Sequence, residues 1–303
     1  MKNCISPIRK THGLSLQLVG LGDVGGTLLT GLVLLGDCID EIGIYDPDQR
    51  RVARYEQELN QVLPVLGHHP RVHGLWQDEL FVDCDAFVFT ASAGVPPVGS
   101  AVKDVRMAQF DKNRAILTPY AKQAVKLGYG GLFFQVSDPV DLLCQVAADA
   151  GVPKAQIVGC GLGVMLARAN DAATRLGCSD FLQHGRVYGP HGEGLVVAND
   201  TGDGYDDALS QRLTQAALTA NLSVRETGYK PYIAPALSSG CLTIFDALRG
   251  NWFFGSTAYD SIFFGSRVRL TKTGVEREPL PNNPILLGRI LQTMEALRAW
   301  KID

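Results

Sequence analysis

The sequence predicts an α/β protein: a doubly wound parallel sheet over residues 1–158, followed by an α+β region over residues 159–303. Three observations carry this. Short, nearly continuous apolar runs alternate with helical patterns through the first half, as a parallel sheet covered on both faces requires. A glycine-rich turn joins the first apolar run to the first helical pattern. The alternation breaks down near residue 158, beyond which ribbon-like runs and long helices are mixed.

In chain order, Leu14–Val19 reads as a strand, Gly26–Leu35 as a helix and Glu41–Tyr45 as a second strand. Pro47–Leu63 is a polar-faced helix whose proline sits where a helix start tolerates one. Asp85–Ala91 is a buried strand, Asp104–Leu127 a long helix, and Gly131–Ser137 a strand stopped by Asp138-Pro139. In the second half, Val164–Leu176, Tyr205–Ala220 and Pro284–Trp300 have helical periodicity. Pro231–Leu248 reads as helical despite Pro235, Arg186–Val197 as a strand turning at Gly189-Pro190, and Phe263–Thr271 as a β-ribbon.

Composition narrows the function classes. The chain has 303 residues, 46% hydrophobic and 19% charged, enough to bury a substantial core. A net charge of -3 gives no general attraction to nucleic acid or anionic membranes. The apolar stretch Leu28–Leu35 is far shorter than the ~20 residues that span a bilayer. The seven cysteines are scattered, with no C-x-x-C pair, which predicts free thiols in a reducing cytoplasm and neither a disulfide framework nor a zinc site. His68, His69 and His73 lack acidic or cysteine partners at ligand spacing and read as a surface loop; no metal is expected.

The glycine turn is the first sign of chemistry. Gly20-Leu21-Gly22-Asp23-Val24-Gly25 fits G-x-G-x-x-G between a strand and a helix. Such glycines allow a tight turn and close backbone approach to a pyrophosphate, which the helix N-terminus stabilises. Asp46 closes the second strand about twenty residues on, where a carboxylate binds ribose hydroxyls. Together they predict a Rossmann dinucleotide site that takes NAD, since Asp46 repels a 2′-phosphate. Arg50 and Arg51 read as a solvated helix face.

Further motifs follow in order. They are Thr90-Ala91-Ser92-Ala93-Gly94, a Pro/Gly-rich loop over Val95–Ser100 leading to Arg106 and Asn113, and Val136-Ser137-Asp138-Pro139. Gly159-Cys160-Gly161 precedes Val164-Met165-Leu166-Ala167-Arg168, and Gly189-Pro190-His191-Gly192-Glu193 comes last. In this order they resemble the L-lactate/malate dehydrogenase family over nearly the whole chain. The resemblance implies hydride transfer between nicotinamide and a small 2-oxo or 2-hydroxy acid, with Thr90, Ala91 and Val136 beside the cofactor. It implies His191 as proton carrier, Arg168 as the clamp on the substrate carboxylate, and Arg106 on a closing loop as the group that polarises the carbonyl. A small carboxylate partner and a homo-oligomer, dimer or tetramer, are implied likewise.

Two positions depart from the family pattern. Met165 stands where an aspartate normally orients the histidine, and Asp138 stands where the family has asparagine. The expectation is that the acidic function has moved from position 165 to position 138; shifting the alignment to Asp171 is not favoured. The segment from Thr90 to Arg106 is longer than the family loop, and Ile233 is expected to make one pocket wall apolar. An imine or amino acid reductase that uses the Asp138 charge, and a non-catalytic NAD-binding protein, are the alternatives.

Overall fold

The computed structural model describes residues 13–64, 67–94 and 105–300, with 105–108 described as backbone only. The first strand, β1 (Leu14–Val19), feeds α1 (Asp23–Leu35), then β2 (Ile39–Tyr45), α2 (Gln49–Leu59), β3 (Arg71–Gly74) and β4 (Ala86–Phe89). A long helix α3 (Val105–Lys126), β5 (Leu132–Gln135), α4 (Val140–Asp149) and β6 (Ile157–Gly159) complete the first half. The strands β3-β2-β1-β4-β5-β6 lie side by side and pair in parallel throughout. This is the doubly wound order, with its switch point between β1 and β4.

The strands are parallel because their side chains are apolar on both faces. Leu16, Leu18, Phe87, Val88, Phe133 and Phe134 are all fully buried. The 3-2-1-4-5-6 order leaves a crevice beyond the C-terminal ends of β1 and β4, where α1 begins.

The second half opens with α5 (Leu162–Arg175), α6 (Phe181–His184) and an antiparallel pair, β7 (Arg186–Tyr188) and β8 (Val196–Ala198). Helix α7 (Asp207–Glu226) follows, then a π-helical stretch, Pro235–Cys241, that runs directly into α8 (Leu242–Arg249). Strands β9 (Phe253–Tyr259), β10 (Ile262–Thr271) and β11 (Gly274–Arg277) join the main sheet antiparallel, through Gly159 opposite Ser256, and make it nine-stranded. Helix α9 (Pro284–Ala299) closes the chain; no described helix is long and apolar enough to cross a membrane.

Several expectations change in detail. Helix α2 starts two residues after Pro47, because the Asp48 side chain caps it by accepting the Arg50 N–H. It stops at Asn60, whose side-chain amide exchanges two hydrogen bonds with the Val72 main chain. The histidine segment is more than a loop: His73 lies in β3, and His69 Nε2 meets the Leu59 carbonyl at 3.0 Å. Arg186–Val197 is two short strands, and the ribbon has three strands in place of one run.

Candidate active site

A cleft of about 2070 Å³ lies along the crevice, bounded on one side by the glycine turn and on the other by α5, α7 and the His191 loop. Gly20, Gly22, Asp23, Val24 and Gly25 line it, as do Asp46, Thr90 and Ala91. Asp138, Arg168 and His191 line its far part. Val136 stands apart from these: it is buried in the core behind β4, its N–H donating to the Phe89 carbonyl at 3.0 Å.

Each glycine of the turn has a separate reason. Gly20 has φ +98°, and a Cβ there would stand 2.6 Å from the Ala91 backbone. At Gly25 a Cβ would meet the Gly20 carbonyl at 1.8 Å and the Thr90 hydroxyl at 2.5 Å. That hydroxyl donates to the Gly20 carbonyl at 2.6 Å, tying the turn to the end of β4. Gly22, which precedes α1, is different: a Cβ there meets nothing within 4 Å. It leaves open space in front of the free amides of the first helical turn, so the site fits a dinucleotide's pyrophosphate.

Asp46 is buried at the end of β2 and braces the same turn. Its Oδ2 accepts the Leu21 N–H at 2.8 Å, and its Oδ1 accepts the Asp48 N–H at 3.0 Å. Arg51 is exposed, as expected, but it also reaches Asp46: its Nη1 donates to Asp46 Oδ2 at 3.3 Å, and it lines the cleft. Arg50, in contrast, points into solvent beside Asp48. Asp46 therefore borders the cleft with a counter-ion of its own.

At the other end, His191 Nδ1 lies 3.0 Å from Asp138 Oδ1, and the imidazole is nearly enclosed. Close packing sets the ring's position: a Cβ at Gly161 would stand 2.9 Å from His191 Cβ. Asn113, fully buried, holds Asp138 from behind. Its Nδ2 donates to the Asp138 carbonyl at 2.7 Å and its Oδ1 accepts the Ala93 N–H at 2.8 Å. Met165 is fully buried, and the Arg168 guanidinium sits on its sulfur at 3.6 Å. Asp171 pairs with Arg175 at 2.5 Å on the exposed face of α5, away from the histidine. The Arg106 side chain and the Val95–Ser100 loop lie outside the described residues.

Asp141, not anticipated from sequence, lies in the first turn of α4 and borders the cleft from beneath. Burial pushes its carboxyl up to about 6, against hydrogen bonds from Ser256, its own N–H and the His191 N–H, and against the His191 charge. Ile233 is largely exposed and does not line the cleft; Pro231, Tyr232 and Pro235 do. The expected apolar wall from Ile233 is thus absent, because the π-helical stretch that follows turns that residue outward.

Comparisons with known proteins fit this geometry. The family profile described as lactate/malate dehydrogenase, NAD binding domain matches residues 14–159. An L-lactate dehydrogenase of Macrococcus caseolyticus is 24% identical over 96% of this chain and 98% of its own length. Residues 14–159 thus carry the NAD-binding domain of the lactate/malate dehydrogenase family. An L-lactate dehydrogenase of Staphylococcus saprophyticus is 29% identical over 58% of this chain, and the chain spans only 54% of that relative. Among solved structures, a minor L-lactate dehydrogenase from Enterococcus mundtii superposes with a TM-score of 0.77 at 19% identity, over 96% of this chain and 98% of that one. A malate dehydrogenase from Archaeoglobus fulgidus in complex with NADH gives 0.79 at 18% identity, over 94% and 97%. These two likenesses speak to the fold.

Against the pattern of that family, the chain's departures are local. Met165 fills with methylenes and sulfur the volume where a carboxylate would stand, and the carboxylate on the imidazole comes from Asp138. Asn113 and Asp141 were the residues that sequence reasoning missed as parts of the site. The signal for Asn113 was its place two helical turns beyond Arg106; the signal for Asp141 was an acidic residue two positions after Pro139 in an otherwise apolar run.

Proposed function

We propose that the protein interconverts a small 2-oxo acid and the corresponding 2-hydroxy acid with NAD as the redox partner and His191 as the proton carrier. The observation that carries this reading is the 3.0 Å contact between Asp138 and His191 Nδ1, in the same cleft as the glycine turn. A carboxylate on Nδ1 fixes the tautomer, stabilises the imidazolium and leaves Nε2 to exchange a proton with the substrate oxygen. In reduction, the imidazolium gives that proton to the carbonyl oxygen; in oxidation, the neutral ring takes it from the hydroxyl. Bound NAD(H) supplies the hydride acceptor or donor.

Arg168 holds the substrate carboxylate through paired hydrogen bonds, its guanidinium steadied on Met165, and Arg106 polarises the carbonyl. Asp46 favours NAD over NADP, and the Arg51 charge is already committed to it. Residues 1–158 hold the cofactor and contribute Arg106 and Asp138, and residues 159–303 bring His191 and Arg168. A homo-oligomer, dimer or tetramer, and a cytoplasmic setting rest on the family resemblance. Because Asp138 is engaged with His191, a 2-oxo acid is favoured over an imine substrate.

The test is NADH oxidation with a panel of 2-oxo acids, with and without ammonium, in wild type and His191→Asn. Turnover that needs no ammonium and falls about a hundredfold or more in His191→Asn is expected. Turnover only with ammonium points to an imine substrate. No turnover across the panel, alongside clear NADH binding, overturns the enzymatic reading.

A further inference from the structure

We infer that Asp141, together with Ser256, is a positioning residue for the proton carrier: its carboxylate fixes the His191 main chain, while Asp138 fixes the ring. The inference rests on the role proposed for His191. Its basis is the arrangement of donors around a carboxylate that is only 7% exposed. An aspartate in the first turn of a helix is ordinarily satisfied by the amides of that turn. Asp141 uses its own N–H, but it also reaches out of α4 in two directions. The Ser256 hydroxyl of β9 donates to its Oδ1, and the His191 main-chain N–H, in the loop after β7, faces the carboxylate and favours its charged form.

Those two directions converge behind the imidazole. Ser256 sits opposite Gly159, so close that a Cβ on Gly159 would stand 2.9 Å from Ser256 Cβ. Two residues on, Gly161 makes the 2.9 Å approach to His191 Cβ. The carboxylate thus joins the first turn of α4, the sheet and the histidine loop. A helix cap alone has no need of such a span. The titratable groups that face Asp141 are the His191 imidazole, the Cys144 thiol one turn along α4, and Asp138 beyond the ring. Burial pushes the Cys144 thiol well up, so it stays neutral.

With its carboxyl pushed up to about 6, Asp141 is ionised at neutral pH and loses its charge just below it. A protonated Asp141 no longer accepts the His191 N–H with full charge and no longer supports a positive ring. Activity carried by His191 then has an acid-side inflection that belongs to Asp141.

The experiment is the pH profile of kcat/KM for 2-oxo acid reduction in wild type, Asp141→Asn and Ser256→Ala, with NADH affinity measured alongside. Wild type is expected to show an acid-side inflection at about pH 6. Asp141→Asn is expected to lose that inflection and on the order of tenfold in kcat/KM, with NADH affinity unchanged. Ser256→Ala removes a donor from the charged form and moves the inflection to higher pH. Because Ser256 touches Asp141 and not Asp138, this variant assigns the inflection, and it also decides the matter if Asp141→Asn does not fold. Wild-type profiles in both variants overturn the inference.

A second readout needs no turnover. The side-chain carboxyl ¹³C signal of Asp141, assigned by its absence in Asp141→Asn, is expected to titrate at about pH 6 in wild type. Its midpoint is expected to move to higher pH in His191→Asn, which removes the positive ring that favours the carboxylate. If no 2-oxo acid is turned over, the proposed function fails, while the carboxyl signal still shows whether Asp141 is coupled to His191; an unchanged midpoint in His191→Asn overturns the coupling.

Discussion

At the scale of single residues, the imidazole is held by a carboxylate from an unusual direction. Asp138 Oδ1 stands 3.0 Å from Nδ1, and in the proposed mechanism it supplies the charge that Met165 cannot. An Asp138→Asn variant keeps the shape and one acceptor oxygen but cannot stabilise the imidazolium. Its kcat is expected to fall by roughly 10²–10⁴, with KM changed much less, because the loss is confined to the transition state. Adding Met165→Asp to Asp138→Asn restores the arrangement usual in the family and is expected to recover part of that loss; steady-state kinetics on the single and double variants check both points. The pairing of Asp138 with His191 was legible in the sequence, because a missing acid and a gained acid occupied two recognisable motifs. Asp141 was not legible, since its significance lies in Ser256, more than a hundred residues away, and no local pattern predicts that contact.

At the scale of elements, the site depends on a helix whose irregularity the sequence hid. Pro231–Leu248 was readable as helical, but the π-helical register of Pro235–Cys241 was not, because helical periodicity does not encode a one-residue widening. That stretch brings Ser239 to the start of α5. Its hydroxyl accepts the Val164 N–H at 2.8 Å and donates to the Gly161 carbonyl at 2.8 Å. All three residues are buried, so Ser239→Ala strands a donor and an acceptor and is expected to cost about 1–3 kcal/mol. Gly161 abuts His191, so the same variant is expected to lower kcat while NADH binding is kept; thermal unfolding with paired kinetics checks this. Strand β3 and helix α4 escaped sequence reading for plainer reasons. β3 is a four-residue edge strand with an arginine and a histidine, and α4 is an apolar run packed directly behind a proline. The long core strands and α1 were readable because their apolar runs are unbroken.

At the scale of the whole molecule, the two halves share one sheet and a common buried cluster. Leu28 and Leu32 of α1 belong to the same buried cluster as Ala236, Cys241, Phe253 and Val268. Neither half can open without uncovering the other's apolar surface, so heat unfolding is expected to be a single transition. The cleft spans both halves, and NADH bound there stabilises the whole chain by mass action. At a hundred times its dissociation constant this amounts to about 2.7 kcal/mol and raises Tm by several degrees. Gly22→Ala separates that linkage from intrinsic stability. The added Cβ meets nothing within 4 Å, and Gly22 has φ -72°, a conformation any residue adopts. The free protein is therefore expected to melt within about 2 °C of wild type, the small cost being that of alanine in place of glycine at the helix cap. The methyl group occupies the space left open for the pyrophosphate, so the rise in Tm on adding NADH is expected to shrink or vanish. Gly25→Ala, with a Cβ 1.8 Å from the Gly20 carbonyl, is expected to destabilise the free protein itself. Differential scanning fluorimetry of the three proteins, with and without NADH, distinguishes a glycine kept for the cofactor from one kept for the fold. An unchanged NADH shift in Gly22→Ala places the cofactor's phosphates elsewhere.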